Sequence, residues 1–204
     1  DGQDARYTHT EAYGKTGRYF PYWNRGTGEI TVEPIVNFDT GDWYQVPKNT
    51  KREYITDLYT YPVMGKEVLM ISVVAPIVAN GVFYGVAGED IPATFLQKIA
   101  DTLDIYNRTG KLFLIGNDGK IVAATDHPEL RGRRLSQLID SRDYAAYSML
   151  TKTGREQTRL TDDHLLAIVP IAFGNTGKRW AAMIVVPSST ITAPANRLLW
   201  RLIA

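Results

Sequence analysis

The reactive side chains of this sequence are acids and aromatic rings, with few of the groups that usually act as nucleophiles. There is no cysteine, which removes disulfides, thiolate zinc sites and thiol catalysis. The three histidines, His9, His127 and His164, are scattered without ligand spacing. No GxSxG, Walker A or HExxH sequence occurs. Asp162-Asp163-His164 has side chains that suit a metal, but it falls in an expected turn between strands, and a hairpin tip is the plainer reading. Neither a catalytic site nor a cofactor is expected. The first half carries Trp23, Trp43, Tyr44, Tyr59 and Tyr61 together with Asp42, Asp57 and Asp90. Carboxylates balance a cationic charge, and aromatic faces stabilise a cation once water leaves. Each residue also has an ordinary rival role. Large aromatics are usually core, Tyr59 and Tyr61 suit cross-strand packing, and Asp42 and Asp57 suit solvated turns. Asp90, just before Pro92, suits a helix cap.

The elements that would position these groups can be read from pattern. Residues 1–18 are polar and Gly-punctuated, and read as loop. YFPYWN fits a short strand whose pairing Pro21 limits; RGTGE is a hairpin turn and ITVEPIVNF a second strand. DTGDWYQVPKNTK suggests a turn and one helical turn. YITDLYTYP alternates as a strand, which puts Tyr59 and Tyr61 on one face. VLMISVVAPIVAN and VFYGVAGEDI, joined by Asn80-Gly81, predict an antiparallel hairpin. PATFLQKIADTLDIY predicts a helix with Pro92 in its first turn and Phe95, Ile99, Leu103 and Ile105 at helical spacing. The plan then restarts. GKLFLIGNDGKIVAATD is a hairpin tipped by Asp118-Gly119, and RDYAAYSMLTKTG is a helix ended by Gly154. EQTRLTDDHLLAIVPIA and KRWAAMIVVP are two more strands, and the segment from Ser188 is a helix leading out.

Composition sets the outer bounds. A chain of 204 residues with 44% hydrophobic and 22% charged residues is ordinary globular material. A net charge of +1 gives no basic surface for nucleic acid. The run Arg131, Arg133, Arg134 is a solvated loop on its simplest reading. No apolar run is long enough to span a membrane, and both ends look cut from something longer.

In order and spacing, GRYFPYW, GDWY, DLYTYP, GKEVLMISVVAPI and VFYGVAGEDI, followed by LFLIGNDGKIVAATDHPELRGRRLSQL, resemble the double-Cache sensor domains of bacterial methyl-accepting chemotaxis receptors. The resemblance covers nearly the whole chain. It implies an α+β fold of two PAS-like modules with antiparallel sheets, membrane-distal at 1–97 and membrane-proximal with the exit helix at 98–204. The family's long N-terminal helix is missing from this chain. It further implies a periplasmic sensor, not an enzyme, on a membrane-spanning protein that forms a homodimer through that helix. The family's distal module holds the ligand. Amino-acid-binding members carry an Arg two residues before the Trp-Tyr pair, where this chain has Gly41. The pattern looks closer to members that bind polyamines, biogenic amines or quaternary amines. On this reading Asp90 corresponds to the family's aspartate for the ligand amino group, Trp43 and Tyr44 match its Trp-Tyr pair, and Trp23, Asp42, Asp57, Tyr59 and Tyr61 complete a cage for a cationic amine. The alternatives keep the fold and hold an amino acid or small carboxylate with Arg25, Lys51 or Arg52, or serve a histidine kinase or diguanylate cyclase output. A mixed α/β hydrolase and a ligand-free interaction module are the rivals outside the family.

Overall fold

A computed structural model of the chain describes residues 4–10 and 13–193. β1 (Pro21–Asn24) and β2 (Thr31–Pro34) pair as an antiparallel ribbon, the hairpin expected around RGTGE. α1 (Asp42–Thr50) follows, nine residues where one helical turn was expected. Pro47 inside it has no N–H to donate to the preceding turn. The helix nevertheless continues to Lys51, which closes it in the left-handed conformation with its N–H 2.8 Å from the Pro47 carbonyl.

The first large sheet contains β3 (Tyr54–Ile55), β4 (Tyr59–Val63), β5 (Lys66–Ala79) and β6 (Val82–Pro92). The strand expected over YITDLYTYP is broken. β3 pairs with Val73 and Val74, β4 pairs with Lys66 to Met70, and both lie on the edge of β5 opposite β6. Met64-Gly65 and Asn80-Gly81 have φ of 48° and 74°, and of 50° and 77°. Positive φ at both central positions matches the twist of a two-residue hairpin. Period two then sorts β5 into two faces. Met70, Ser72 and Val74 face a cleft. Ile71 and Val73 join Ile55 and Ile91 in an apolar layer against the second module. Burial on both faces explains the almost unbroken apolar run of β5.

α2 (Ala93–Thr102) begins directly after Pro92, which sits at the cap position and not inside the first turn. Its buried side is Ala93, Gln97 and Ala100. Of the residues read at helical spacing, Phe95, Ile99 and Leu103 are exposed, while Ile105 and the helix's Leu96 pack against the inter-module layer. The three are exposed because α2 is held by polar bonds to β8 (Ile121–Ala124). The Gln97 amide donates to the Ala124 carbonyl at 2.6 Å and accepts from its N–H at 3.2 Å. These bonds set the helix rotation against its apolar stripe.

The second module is a five-stranded antiparallel sheet in the order β8-β7-β11-β10-β9, with β7 (Lys111–Ile115), β9 (Gln157–Leu160), β10 (His164–Ala172) and β11 (Arg179–Pro187). A break at residues 161–163 separates β9 from β10, at the turn expected around Asp162-Asp163-His164. α3 (Ser141–Thr153) covers the sheet. Asp140 caps its start by accepting from the N–H groups of Arg142 and Asp143, and Gly154 ends it at φ 68°. Ile115, Leu135, Tyr147, Leu150, Leu166, Ile168 and Met183 fill the interior. Residues 188–193 begin a helix; the expected exit helix over 194–204 lies outside the described residues. The architecture is thus α+β with two antiparallel modules, and no long helix precedes β1 among the described residues. No described helix is long and apolar enough to cross a membrane.

Candidate ligand-binding site

A cleft of about 1580 Å³ opens on the Ser72 face of the first sheet. Its floor is β4, β5 and β6; one wall is α1 and the other is the β1–β2 ribbon. Strand register builds the floor. Ser72 stands opposite Asp90, Val74 opposite Gly88, and Tyr59 opposite Met70, one step along from Ser72. Gly88 is required there, since a Cβ would lie 2.4 Å from Val74 Cγ1 and 2.8 Å from the Val73 carbonyl.

Asp90 is the chemical centre. Its Oδ1 accepts from Ser72 Oγ at 2.5 Å, and Ser72 Oγ lies 2.6 Å from the Tyr59 hydroxyl. With the single Ser72 proton given to Asp90, Tyr59 donates to Ser72, and the relay points its protons at the carboxylate. The Tyr22 phenol lines the same cleft beside Asp90. Burial raises the Asp90 pKa above the ordinary carboxylate range, and the Ser72 hydrogen bond and the nearby Tyr22 phenol oppose that rise only in part. Burial first, and the Asp90 charge after it, push the Tyr22 and Tyr59 phenols far up, so both stay protonated. Tyr61 is raised chiefly by burial and is tied by its hydroxyl to the Val36 N–H at 3.0 Å. None of the described lysines, arginines or histidines forms an ion pair with Asp90.

Trp23, Trp43, Tyr44, Tyr59, Tyr61 and Asp90 line this one cleft. They differ in burial. Trp43 and Tyr44 are 8% and 7% exposed and pack with Val74, Phe20 and Phe38, so they are wall and core at once. Trp23 is 64% exposed at the mouth. Gly41 carries the close approach of Trp43: a Cβ there would meet the indole Nε1 at 2.4 Å. Any larger residue at 41 displaces that ring.

Two expected acids are elsewhere. Asp42 is exposed in the first turn of α1, where a carboxylate suits the helix N-terminus better than a cavity. Asp57, in the break between β3 and β4, turns to the second module and pairs with Lys178 at 3.3 Å. Neither lines the cleft. Pattern reading did not select Tyr22 and Ser72. Tyr22 was seen only as a neighbour of Trp23. Ser72 had a signal, a lone hydroxyl inside VLMISVV, but its partner depends on a register irregularity. Between Ile77 and Val78 the pairing shifts by one residue. Without that bulge a two-residue Asn80-Gly81 turn pairs Ser72 with Glu89.

Arg25 and Arg18 line the cleft; Arg18 is paired with Asp4 at 3.1 Å, while Lys51 is bonded to the Gly81 carbonyl and Arg52 lies outside. The histidines do not converge: His127 pairs with Glu129, and His164 with Asp143. The described residues contain no cluster fit for a metal ion.

Residues 4–98 match the family described as methyl-accepting chemotaxis protein-like, first PDC sensor domain. The methyl-accepting chemotaxis protein TlpQ of Pseudomonas aeruginosa is 24% identical over 97% of the chain, which spans 30% of that protein's length. The extracellular domain of mmHK1S-Z3, described as a histidine kinase, superposes with a TM-score of 0.81 at 30% identity, over 97% of this chain and 72% of that one. That of mmHK1S-Z2 gives 0.75 at 27% identity, over 93% and 71%. Over residues 4–98 the chain thus carries a first PDC sensor domain of the methyl-accepting chemotaxis protein-like type, and over nearly its whole length it belongs with extracellular sensor domains of the mmHK1S-Z3 kind.

Proposed function

We propose that the first module binds a small molecule through its ammonium group, with Asp90 as counter-charge and Tyr22, Tyr59, Tyr61, Trp43, Tyr44 and Trp23 as the surrounding rings, and that a simple amine is the ligand. One observation carries this reading: Asp90 is desolvated, hydrogen-bonded on one oxygen, and has no cationic partner among the described residues. A carboxylate in that state gains most from a cation that arrives with the ligand. Ring faces add roughly 0.5 to 2 kcal/mol each where water is excluded. The cleft exceeds the roughly 300–1,000 Å³ usual for a small-molecule pocket, so a small amine shares it with water.

A second reading is an amino acid, its ammonium on Asp90 and its carboxylate on Arg25, which lines the same cleft. Two solved domains at 19% identity support it. The ligand-binding domain of the Pseudomonas aeruginosa amino acid chemoreceptor PctC holds GABA (TM-score 0.53), and that of CtaA from Pseudomonas fluorescens holds L-isoleucine (TM-score 0.57). Both ligands pair an ammonium with a carboxylate, so the ammonium site is common to the two readings.

A thermal-shift panel of putrescine, spermidine, histamine, choline, GABA and L-amino acids separates them. Simple amines should raise the melting temperature of the wild type, and Asp90→Asn should weaken the effective amine by at least about 30-fold, the scale of removing one partner of a desolvated charge pair. Arg25→Ala should spare simple amines and abolish amino-acid binding. Stabilisation by carboxylates that lack an amine, and by nothing else, would sink both. Affinity should fall as pH drops through the raised Asp90 pKa, since a protonated acid offers no charge to the ammonium.

At the level of the whole receptor, the proposal is a periplasmic, homodimeric ligand-binding region joined by an N-terminal helix and coupled across the membrane to a chemotaxis output. The family match ending at residue 98 supports the division of the chain into 1–97 and 98–204.

A further inference from the structure

The two modules meet at a polar joint built by residues that flank the cleft floor. Glu53, just before β3, accepts the Asn175 N–H at 2.7 Å. That approach exists because residue 174 is glycine: a Cβ there would lie 2.2 Å from Glu53 Oε2, and its φ is 46°. Lys178 donates to the Tyr54 hydroxyl at 3.2 Å and to Asp57 at 3.3 Å, and its ammonium stands 4.4 Å from the centre of the Tyr54 ring. Residues 53, 54 and 57 thus grip the loop between β10 and β11. Burial works against the Lys178 charge, but Tyr54 and Asp57 outweigh it and raise its pKa.

The same short stretch touches the cleft centre. Thr56 lies between Ile55 and Asp57. Its N–H donates to the Ser72 carbonyl at 3.0 Å, and its Oγ1 accepts the Ser72 N–H at 2.8 Å. Ser72 in turn holds Asp90. From Asp90 to Lys178 the connection therefore runs through Ser72, Thr56 and one peptide step. The joint is also incompletely satisfied: Asp57 Oδ1 and Trp180 Nε1 are buried without hydrogen-bond partners. Beyond Lys178, β11 runs from Arg179 to Pro187 and delivers the chain to the helix that begins at residue 188.

We infer that the charge on Asp90 and the grip on the β10–β11 loop are coupled through Ser72 and Thr56, with the Asp57–Lys178 pair as the latch. Asp57 and Lys178 are positioning residues in this scheme and touch no ligand. The claim concerns the charge on Asp90, whatever neutralises it, and is independent of the amine reading. Neutralising Asp90 weakens a charge-assisted Ser72 bond to an ordinary one, lets the Ser72 backbone shift together with the Thr56 bonded to it, and loosens the loop.

Amide hydrogen exchange of Asn175 tests this without any ligand, in the wild type, Asp90→Asn, Lys178→Met and the double variant. Asp90→Asn should speed Asn175 exchange at least threefold in the wild-type background and by a smaller factor in the Lys178→Met background. Should Lys178→Met fail to fold, Asp57→Asn removes the same latch. A smaller or opposite change in the wild-type background, or an equal change in both, overturns the coupling, because unconnected sites this far apart in the bonded network act additively.

Discussion

Each module holds one aspartate against its sheet, part-buried in the first and buried in the second, and the two are treated in opposite ways. In the second module Asp143 stands in the first turn of α3 with a side chain 9% exposed, bonded to Arg159 from β9 and to His164 from β10. Tyr147 and Leu150 follow on the same helix and fill the sheet face. In the first module Asp90 has hydroxyl neighbours and no cationic partner among the described residues, and α1 is nine residues against the thirteen of α3. The shorter helix packs its Trp43 and Tyr44 against Val74 and leaves the face around Ser72 open. One plan therefore yields one unit with a filled sheet face and one with an open cleft. The difference lies in whether the chain supplies both the covering side chains and the counter-charge.

The strongest test of that contrast is Asp143→Ala. It strands Arg159 in a partly buried site and should cost about 3 kcal/mol in urea unfolding, the scale of breaking a buried ion pair from one side. Equal stability of variant and wild type would show that the second module does not rely on internal pairing. Asp90→Asn should do the reverse and stabilise the unliganded chain near pH 7, by less than Asp143→Ala destabilises it. The sign follows from linkage: a carboxyl whose folded pKa is raised loses stability as pH climbs from the unfolded value through the folded one. The advantage of Asp90→Asn over wild type should therefore vanish below about pH 4, and an advantage that persists there would point to packing instead of charge. The smallest effect belongs to Trp23→Ala. With its ring at the cleft mouth, it should change unfolding free energy by no more than about 0.5 kcal/mol while weakening the amine found in the thermal-shift panel.

Much of the scaffold was legible because its signals are local. Asn80-Gly81 announces a hairpin, Gly154 a helix end, and the alternation in YTY puts Tyr59 and Tyr61 on one face. Proximity of the rings followed from the resemblance and from strand period together. The departures came where a non-local contact outweighed a local pattern. α2 shows its Phe95, Ile99, Leu103 stripe to solvent because Gln97 is clamped to Ala124. Asp57 left the expected cage because Lys178, 121 residues further along the chain, offers it a charge.

By itself the sequence determined the alternation of strands and helices, the turns, and a first half rich in rings and acids, since dihedral preference and hydrophobic period act over a few residues. Only the tertiary structure decided which acid meets which partner. A one-residue bulge near the tip of the β5–β6 hairpin sets Asp90 and not Glu89 opposite Ser72, and side-chain facing in a sheet reverses with every residue of register.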